Sequence, residues 1–296
     1  MQIPREVEDD LKQIGTIVDI TGAFQGIASI RIAQIKNQVL QSQNFFDELW
    51  NIYTQLRVDA TFHFGVGQDK EKLIENKELF VVITAEGGFS GDIDEKLIEW
   101  MLKTYNKKWN DIIVIGHHGA VQLAQRGIPI KKYYKLPSKD RNINVAPIIT
   151  EIQKYRTSMA FYQQYVSLMV QDVKRLSLMT AVQEHGGVSQ AATVESKEAA
   201  KERVKRIISE ETYIFEPSTY DVVDHLERSM LSIMVSQIIL ESKLAQYASR
   251  FRAMSAANDR AKESQEDLNL LFHRAKRAVA DERLKEIVSG MRSAEA

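Results

Sequence analysis

The sequence predicts a small α/β domain inserted between two long, supercoiled terminal helices. Three observations predict it: the placement of prolines and glycines, an apolar repeat of 3.5 residues at both chain ends, and a strand, helix, strand spacing in the middle.

The chain breakers set the outline. A helix opened by Pro4 in its first turn meets no further proline until Pro129, and none follows Pro217. No glycine lies between Gly187 and Gly290 either, so the C-terminal part predicts one very long helix.

Both ends carry a heptad seam. From Val7 it runs through Leu11, Ile14, Val18, Thr21, Gln25, Ala28, Ile32, Ile35, Val39, Ser42, Phe46, Leu49, Tyr53 and Leu56, polar only at Thr21, Gln25 and Ser42. From Val223 it runs through Leu226, Met230, Ile233, Gln237, Leu240, Leu244, Tyr247, Phe251, Met254, Asn258, Ala261, Gln265, Leu268, Phe272, Ala275 and Val279. A stripe covering a local core is the ordinary explanation of such a pattern over three turns, but no compact domain offers a core this long. The repeat therefore predicts helices wound left-handed around each other, about 75 Å and about 110 Å long at 1.5 Å per residue.

The middle changes period. Leu79 to Thr84 reads as a buried strand, Asp92 to Tyr105 as an amphipathic helix, and Ile112 to Ile115 as a second strand ending at Gly116. A helix from about Ala120 to Gln125 leads to "IKKYYKL", and after Pro147 "APIITEIQKYRT" reads as helical. "MAFYQQYVSLMVQDVKRLSL" reads as two strands with a tight connection, with helix nearly as well supported, and Glu211 to Pro217 as a terminal strand. Residues 184–207, opened by "HGGVSQ" and then charged, read as a surface excursion. The expected divisions are 1–57, 78–217 and 218–296.

Composition removes several function classes. The 296 residues are 44% hydrophobic, enough for a real core. Lys plus Arg (39) nearly balance Asp plus Glu (40), so no global basic field favours nucleic acid or anionic lipid. The absence of cysteine excludes disulfides, thiolate nucleophiles and cysteine-ligated metals and fits a reducing compartment. The start "MQIPREVEDD" has no signal-peptide character, and no stretch approaches the roughly 18 apolar residues of a membrane span.

The order helix, α/β domain, longer helix resembles the γ subunit family of F-type ATP synthases, the central rotor shaft. "YIFEPS" at Tyr213–Ser218, "SQIILESKLAQYASRFRAMSAANDRAKE" at Ser236–Glu263 and "EIVSG" at Glu286–Gly290 are similar to the family's C-terminal signature. "ITGAFQGIASIRI" at Ile20–Ile32 is more loosely similar to its first helix, and "VVITAEGGFSGDID" stands where the family has a strand, a glycine corner and a helix. The resemblance implies an antiparallel coiled coil of the N- and C-terminal helices with an inserted Rossmann-like α/β domain. It also implies α and β subunits of a catalytic head, an ε subunit and a c-ring as partners, with membrane contact only through the ring. The implied location is the cytoplasmic side of a bacterial plasma membrane or an equivalent energy-transducing membrane. In such a shaft the angle of an asymmetric rod biases each catalytic subunit's conformation by differential contact.

The sequence departs from that family at several points. Residues 11–34 carry only Lys12 and Arg31 as basic residues, with Gly15, Gly22 and Gly26 on the helix, read as close packing or as local flexibility. The corner has Glu86 and Ser90 where an arginine and a cysteine are usual, and Lys276 and Arg277 stand where an arginine and a glutamine are common. These departures imply a divergent branch, with an alternative F-type ATPase working in hydrolysis as one reading.

The candidate chemistry is sparse. Gly87, Gly88 and Gly91 make neither GxGxxG nor GxxxxGK[ST], so they read as suppliers of positive φ at a turn, with Asp92 and Asp94 well placed in the next helix's first turn. His117 and His118, as strand neighbours, would face opposite sides, and with no carboxylate or further histidine nearby they read as no metal site. No residue is a credible catalyst, no cofactor is expected, and the isolated chain is expected to lack ATPase activity. The seam residues Leu11, Ile14, Val18, Leu240, Leu244, Tyr247, Phe251 and Met254 are expected to carry torsional stiffness. Beyond Val279 apolar residues shift to Leu284, Ile287, Val288 and Met291, a change of neighbour. Arg274, Lys276, Arg277, Arg283 and Lys285 are candidate contacts to acidic loops of a catalytic head, with a solvated helix face as the equal alternative. Two other classes stand beside the shaft: a nucleotide-binding enzyme or regulator dimerised by its helices, and a coiled-coil adaptor.

Overall fold

The computed structural model describes residues 4–55, 75–140, 143–178, 216 and 218–294. The expected 184–207 excursion and, apart from Glu216, the expected strand at 211–217 lie outside the described residues. Helix α1 (Pro4–Gln55) has 52 residues, and the last helix, α5 (Thr219–Ala294), has 76. At 1.5 Å per residue these run about 78 Å and about 114 Å. Between them come β1 (Glu75–Ile83), α2 (Ile93–Leu102), β2 (Asn110–Ile115), α3 (His117–Gln125), β3 (Lys132–Tyr134), α4 (Ala146–Ile152), β4 (Tyr155–Tyr165) and β5 (Gln171–Ser177).

The chain divides into two compact units, one of Met1–Ser29 with Arg250–Ala296 and one of Ile30–Ser249. In the first, the two helical segments lie antiparallel: a Cβ on Gly15 would stand 3.5 Å from the Gln265 amide nitrogen, and one on Gly22 would stand 3.6 Å from that of Asn258. Both are ordinary contacts, and Gly26 has nothing within 4 Å. The glycines are thus tolerated here without being required.

The second unit is built on a five-stranded sheet of order β3-β2-β1-β4-β5, parallel except for the antiparallel β4–β5 hairpin. The alternation of side chains along a strand sorts β1 between two cores. Leu79, Val81 and Ile83 join Ile148 and Ile152 of α4 and Met230, Leu231, Met234, Val235, Ile238 and Ile239 of α5. Phe80 and Val82 join Leu97, Ile98 and Met101 of α2 and Leu123 of α3 on the opposite face. Covering on both faces explains why "LFVVI" is apolar throughout rather than alternating. A third cluster joins Ile35 and Val39 of α1 to Leu240 and Leu244 of α5. Between the sheet and α1, α5 is buried nearly all round from Met230 to Ser249.

Three local expectations are corrected. The helix after Pro147 stops at Ile152, and "YRT" instead begins β4, whose aromatic and β-branched residues suit a sheet. His117 and His118 open α3 rather than ending a strand, because Gly116 takes φ 109° and turns the chain out of β2. Positive φ at the glycine corner falls on Phe89 (66°) and Gly91 (67°), not on Gly87 or Gly88.

Candidate functional site

The strand order places a topological switch point between β1 and β4, where parallel α/β sheets open a crevice at their carboxyl ends for nucleotides. Here that crevice is filled by the chain itself. Asp94, in the first turn of α2 and only 1% exposed, turns its carboxylate back to the Ala85 amide, 3.3 Å from both oxygens. The position where a helix N-terminus would bind a phosphate thus already holds an internal anion.

Two side chains close over it. His118 Nδ1 lies 2.7 Å from one Asp94 oxygen, and Gln163 near the end of β4 donates its amide to the other at 2.6 Å. The hydrogen bond to Asp94, opposed by partial burial, raises the His118 pKa above the usual imidazole value. The sequence reading placed no carboxylate beside these histidines; the fold brings Asp94 to one of them. The rings diverge nonetheless, since His117 packs edge-on against Tyr133 with centroids 6.4 Å apart.

From Gln163 the contacts continue into α5. Its amide oxygen accepts from the Ser242 hydroxyl and, at 3.3 Å, from the Gln246 amide, and Gln246 also donates to Ser242 at 3.0 Å. One turn on, the Ser249 hydroxyl donates to the Ser90 carbonyl at 2.6 Å, with a Cβ on Gly91 3.4 Å from that same hydroxyl. The glycine corner brings its backbone against α5.

Glu86 has its own task there. Its carboxylate accepts from the backbone amides of His117 at 3.2 Å and Leu136 at 3.1 Å and from the Tyr133 hydroxyl at 3.4 Å, fastening the corner to the start of α3 and the segment after β3. Thr84 and Gly119 allow α3 to approach so closely: the Gly119 amide donates to the Thr84 hydroxyl at 3.0 Å, where a Cβ would stand 2.5 Å from Thr84. A second fastening comes from Lys243 of α5, nearly wholly buried, which donates to the Pro137 carbonyl at 2.8 Å and pairs with Asp140; Arg31 of α1 reaches the same carboxylate at 3.5 Å. Gln163, Ser242, Ser249 and Lys243 were invisible as functional residues in the sequence, because a polar residue on a long helix or strand gives no local sign of a partner so distant in the chain.

The seam residues occupy both units. Leu11, Ile14 and Val18 are half-buried in the first, as are Phe251 and, more deeply, Met254; Leu240 and Leu244 are buried and Tyr247 half-buried in the second. Every described position counted from Val7 to Leu49 is buried or half-buried. The far end of α5 is different, with all residues from 281 to 291 exposed. Leu284 is 59% and Met291 63% exposed, with Ile287 and Val288 between them also open to solvent. Arg274, Lys276, Arg277, Arg283 and Lys285 lie on this stretch or just before it, each on the exposed surface.

Comparison with known proteins agrees over the whole chain. A family model described as ATP synthase matches residues 4–294. The gamma chain of ATP synthase from Chlorobaculum parvum is 23% identical, with 97% of each chain covered, and that from Mesoplasma florum is 25% identical, with 92% of this chain and 91% of the relative covered. Among solved structures, a chain of the Euglena gracilis mitochondrial ATP synthase (OSCP, F1 and c-ring) superposes with a TM-score of 0.64 at 13% identity, covering 98% of this chain and 94% of that one. A chain of the Tetrahymena thermophila central stalk and c-ring assembly gives 0.55 at 16% identity, covering 80% and 99%.

Proposed function

Since the chain belongs to the ATP synthase family, we propose that it is the central rotor shaft of an F-type ATP synthase, a gamma-type subunit that couples rotation of a membrane ring to conformational change in a catalytic head. The observation that carries this reading is the antiparallel pairing of α1 with α5 along an apolar seam, in a chain whose relatives are gamma chains over their whole length. Two helices of 52 and 76 residues with different sequences cannot present equal surfaces in all directions. A ring of equivalent catalytic sites around them meets a different surface at each site, and differential contact energy sets which site is open. The chain works at an energy-transducing membrane as part of a head and rotor assembly.

The finer assignments belong to this proposal. The α and β subunits form the head around the exposed end of α5, where Arg274, Lys276, Arg277, Arg283 and Lys285 meet acidic loops. The ε subunit and c-ring bind the sheet-containing part, and the assembly lies on the cytoplasmic face of a bacterial membrane. The domain limits 1–57, 78–217 and 218–296 follow the same division into shaft helices and insert. The nucleotide-binding alternative is disfavoured by the side chains filling the switch-point crevice.

Purification of the native complex tests the proposal. A shaft comes out with three copies each of two larger nucleotide-binding subunits, and the free chain hydrolyses no ATP. Recovery as a free dimer that binds nucleotide, with no such subunits, would overturn it.

A further inference from the structure

The buried contacts described above form one continuous polar path, from a partly exposed imidazole through Asp94 and Gln163 to Ser242 and Gln246 on α5. As a carboxylate, Asp94 only accepts, so the Gln163 amide must present its NH2 group to it. Its oxygen is then left facing Ser242 and Gln246, both donors. Each link fixes the next, and the arrangement has one polarity. We propose that this path is a proton-sensitive latch, in which the charge on His118 sets how firmly the sheet holds the Ser242–Gln246 turn of α5.

The physics runs from the charge inward. Asp94 is deeply buried, and a buried carboxylate needs both hydrogen bonds and a counter-charge. Protonated His118 supplies both. Neutral His118 keeps a donor at Nδ1 but loses the charge, so the buried Asp94 carboxylate is left without a counter-charge and the closed arrangement that buries it under Gln163 and α5 is less stable. The nearby acidic groups of the corner and of α2 are engaged with other partners. Glu86, from the corner, is engaged by the His117 and Leu136 amides and Tyr133. Glu95 of α2 pairs across to Arg126 of α3 at 3.8 Å. The sign follows from the raised pKa of His118: the stabilisation is complete below the ordinary histidine value of about 6.5 and is lost as pH rises through the higher folded-state value. This property belongs to the chain alone and does not depend on its role in a rotary complex.

The test uses the full-length chain. Hydrogen exchange of the α5 amides around Ser242–Gln246 is followed from pH 5.5 to 9 and corrected for intrinsic rates, while the His118 imidazole is titrated by NMR. The latch predicts a rise in corrected exchange with the His118 midpoint, about tenfold for each unit by which that midpoint exceeds the unfolded value, and no rise in His118→Gln. Because His118 is 35% exposed, that variant is not a core disruption. The wild-type titration also stands without it. Corrected exchange that is flat across the His118 midpoint, or a rise that persists in His118→Gln, would overturn the latch.

Discussion

The Asn258 side-chain amide donates to the Thr21 hydroxyl at 2.9 Å and to the Val18 carbonyl at 2.8 Å, so two of the few polar residues in the seams meet each other. Thr21 in turn donates to the Ile17 carbonyl at 2.7 Å, leaving every polar atom named here with a partner. A buried polar pair in an apolar seam permits one alignment of the helices and penalises the others, since a slip by a heptad leaves both groups unsatisfied.

Asn258→Ala is expected to destabilise the chain by about 1 to 2 kcal/mol, the usual range for losing a buried hydrogen bond and leaving its acceptor unmatched. Combining it with Thr21→Val should cost less than the sum of the two single changes. Thermal unfolding of the four species in a double-mutant cycle measures the difference.

The glycines make opposite predictions. A Cβ on Gly116 would stand 2.1 Å from the Thr84 carbonyl oxygen, at a φ that side chains rarely adopt. Gly116→Ala should therefore cost more than about 4 kcal/mol. Gly26 lies inside a helix with nothing within 4 Å, so Gly26→Ala should raise stability by about 0.5 to 1 kcal/mol. Denaturant midpoints separate the two directly.

Asp140→Ala leaves Lys243 buried without its carboxylate, a change expected to cost about 3 to 5 kcal/mol. Replacing both with apolar residues should recover much of the loss. Equilibrium unfolding of the single and double variants checks this.

Leu244 is 3% exposed in mid-seam, and Leu244→Pro is expected to break α5 there at a cost of about 3 kcal/mol or more. The complex should then fail to assemble or should hydrolyse ATP without transporting ions. Normal coupling in this variant would count against the seam as the torque-bearing element.

Glu151 supplies a prediction for acid. Its pKa is lowered by hydrogen bonds from Lys154 at 2.8 Å and Lys132 at 2.9 Å, against opposing burial. A depressed carboxylate contributes stability above its unfolded value, near 4.5, and loses that contribution as pH falls through the lower folded value. Glu151→Gln should therefore lower stability at pH 7 and flatten its decline below about pH 4.5, as followed by melting temperature against pH.

Much of this fold was legible because its signals are periodic. The 3.5-residue spacing marks Val7, Ala28, Ile35, Val39 and Phe46, all buried, and the apolar runs of β1 and β2 mark strands covered on both faces. What the pattern could not show were contacts set by tertiary approach. Asp94 reads as a helix-start residue, which it is, yet its partner Gln163 lies 69 positions away, and Gln163 meets Ser242 79 positions further on. His118 was misplaced for a local reason: the conformation of Gly116 that ends β2 also begins α3, and a run of residues alone does not fix that angle. The contact of the glycine corner with Ser249 likewise depends on where the long helix passes.

The open apolar end of α5 bears on the life of the chain before it reaches its place in the complex. Leu284, Ile287, Val288 and Met291 offer a sticky surface on every newly made copy. Copies of the chain left without a partner for this face are expected to self-associate, which light scattering of the purified free chain would show.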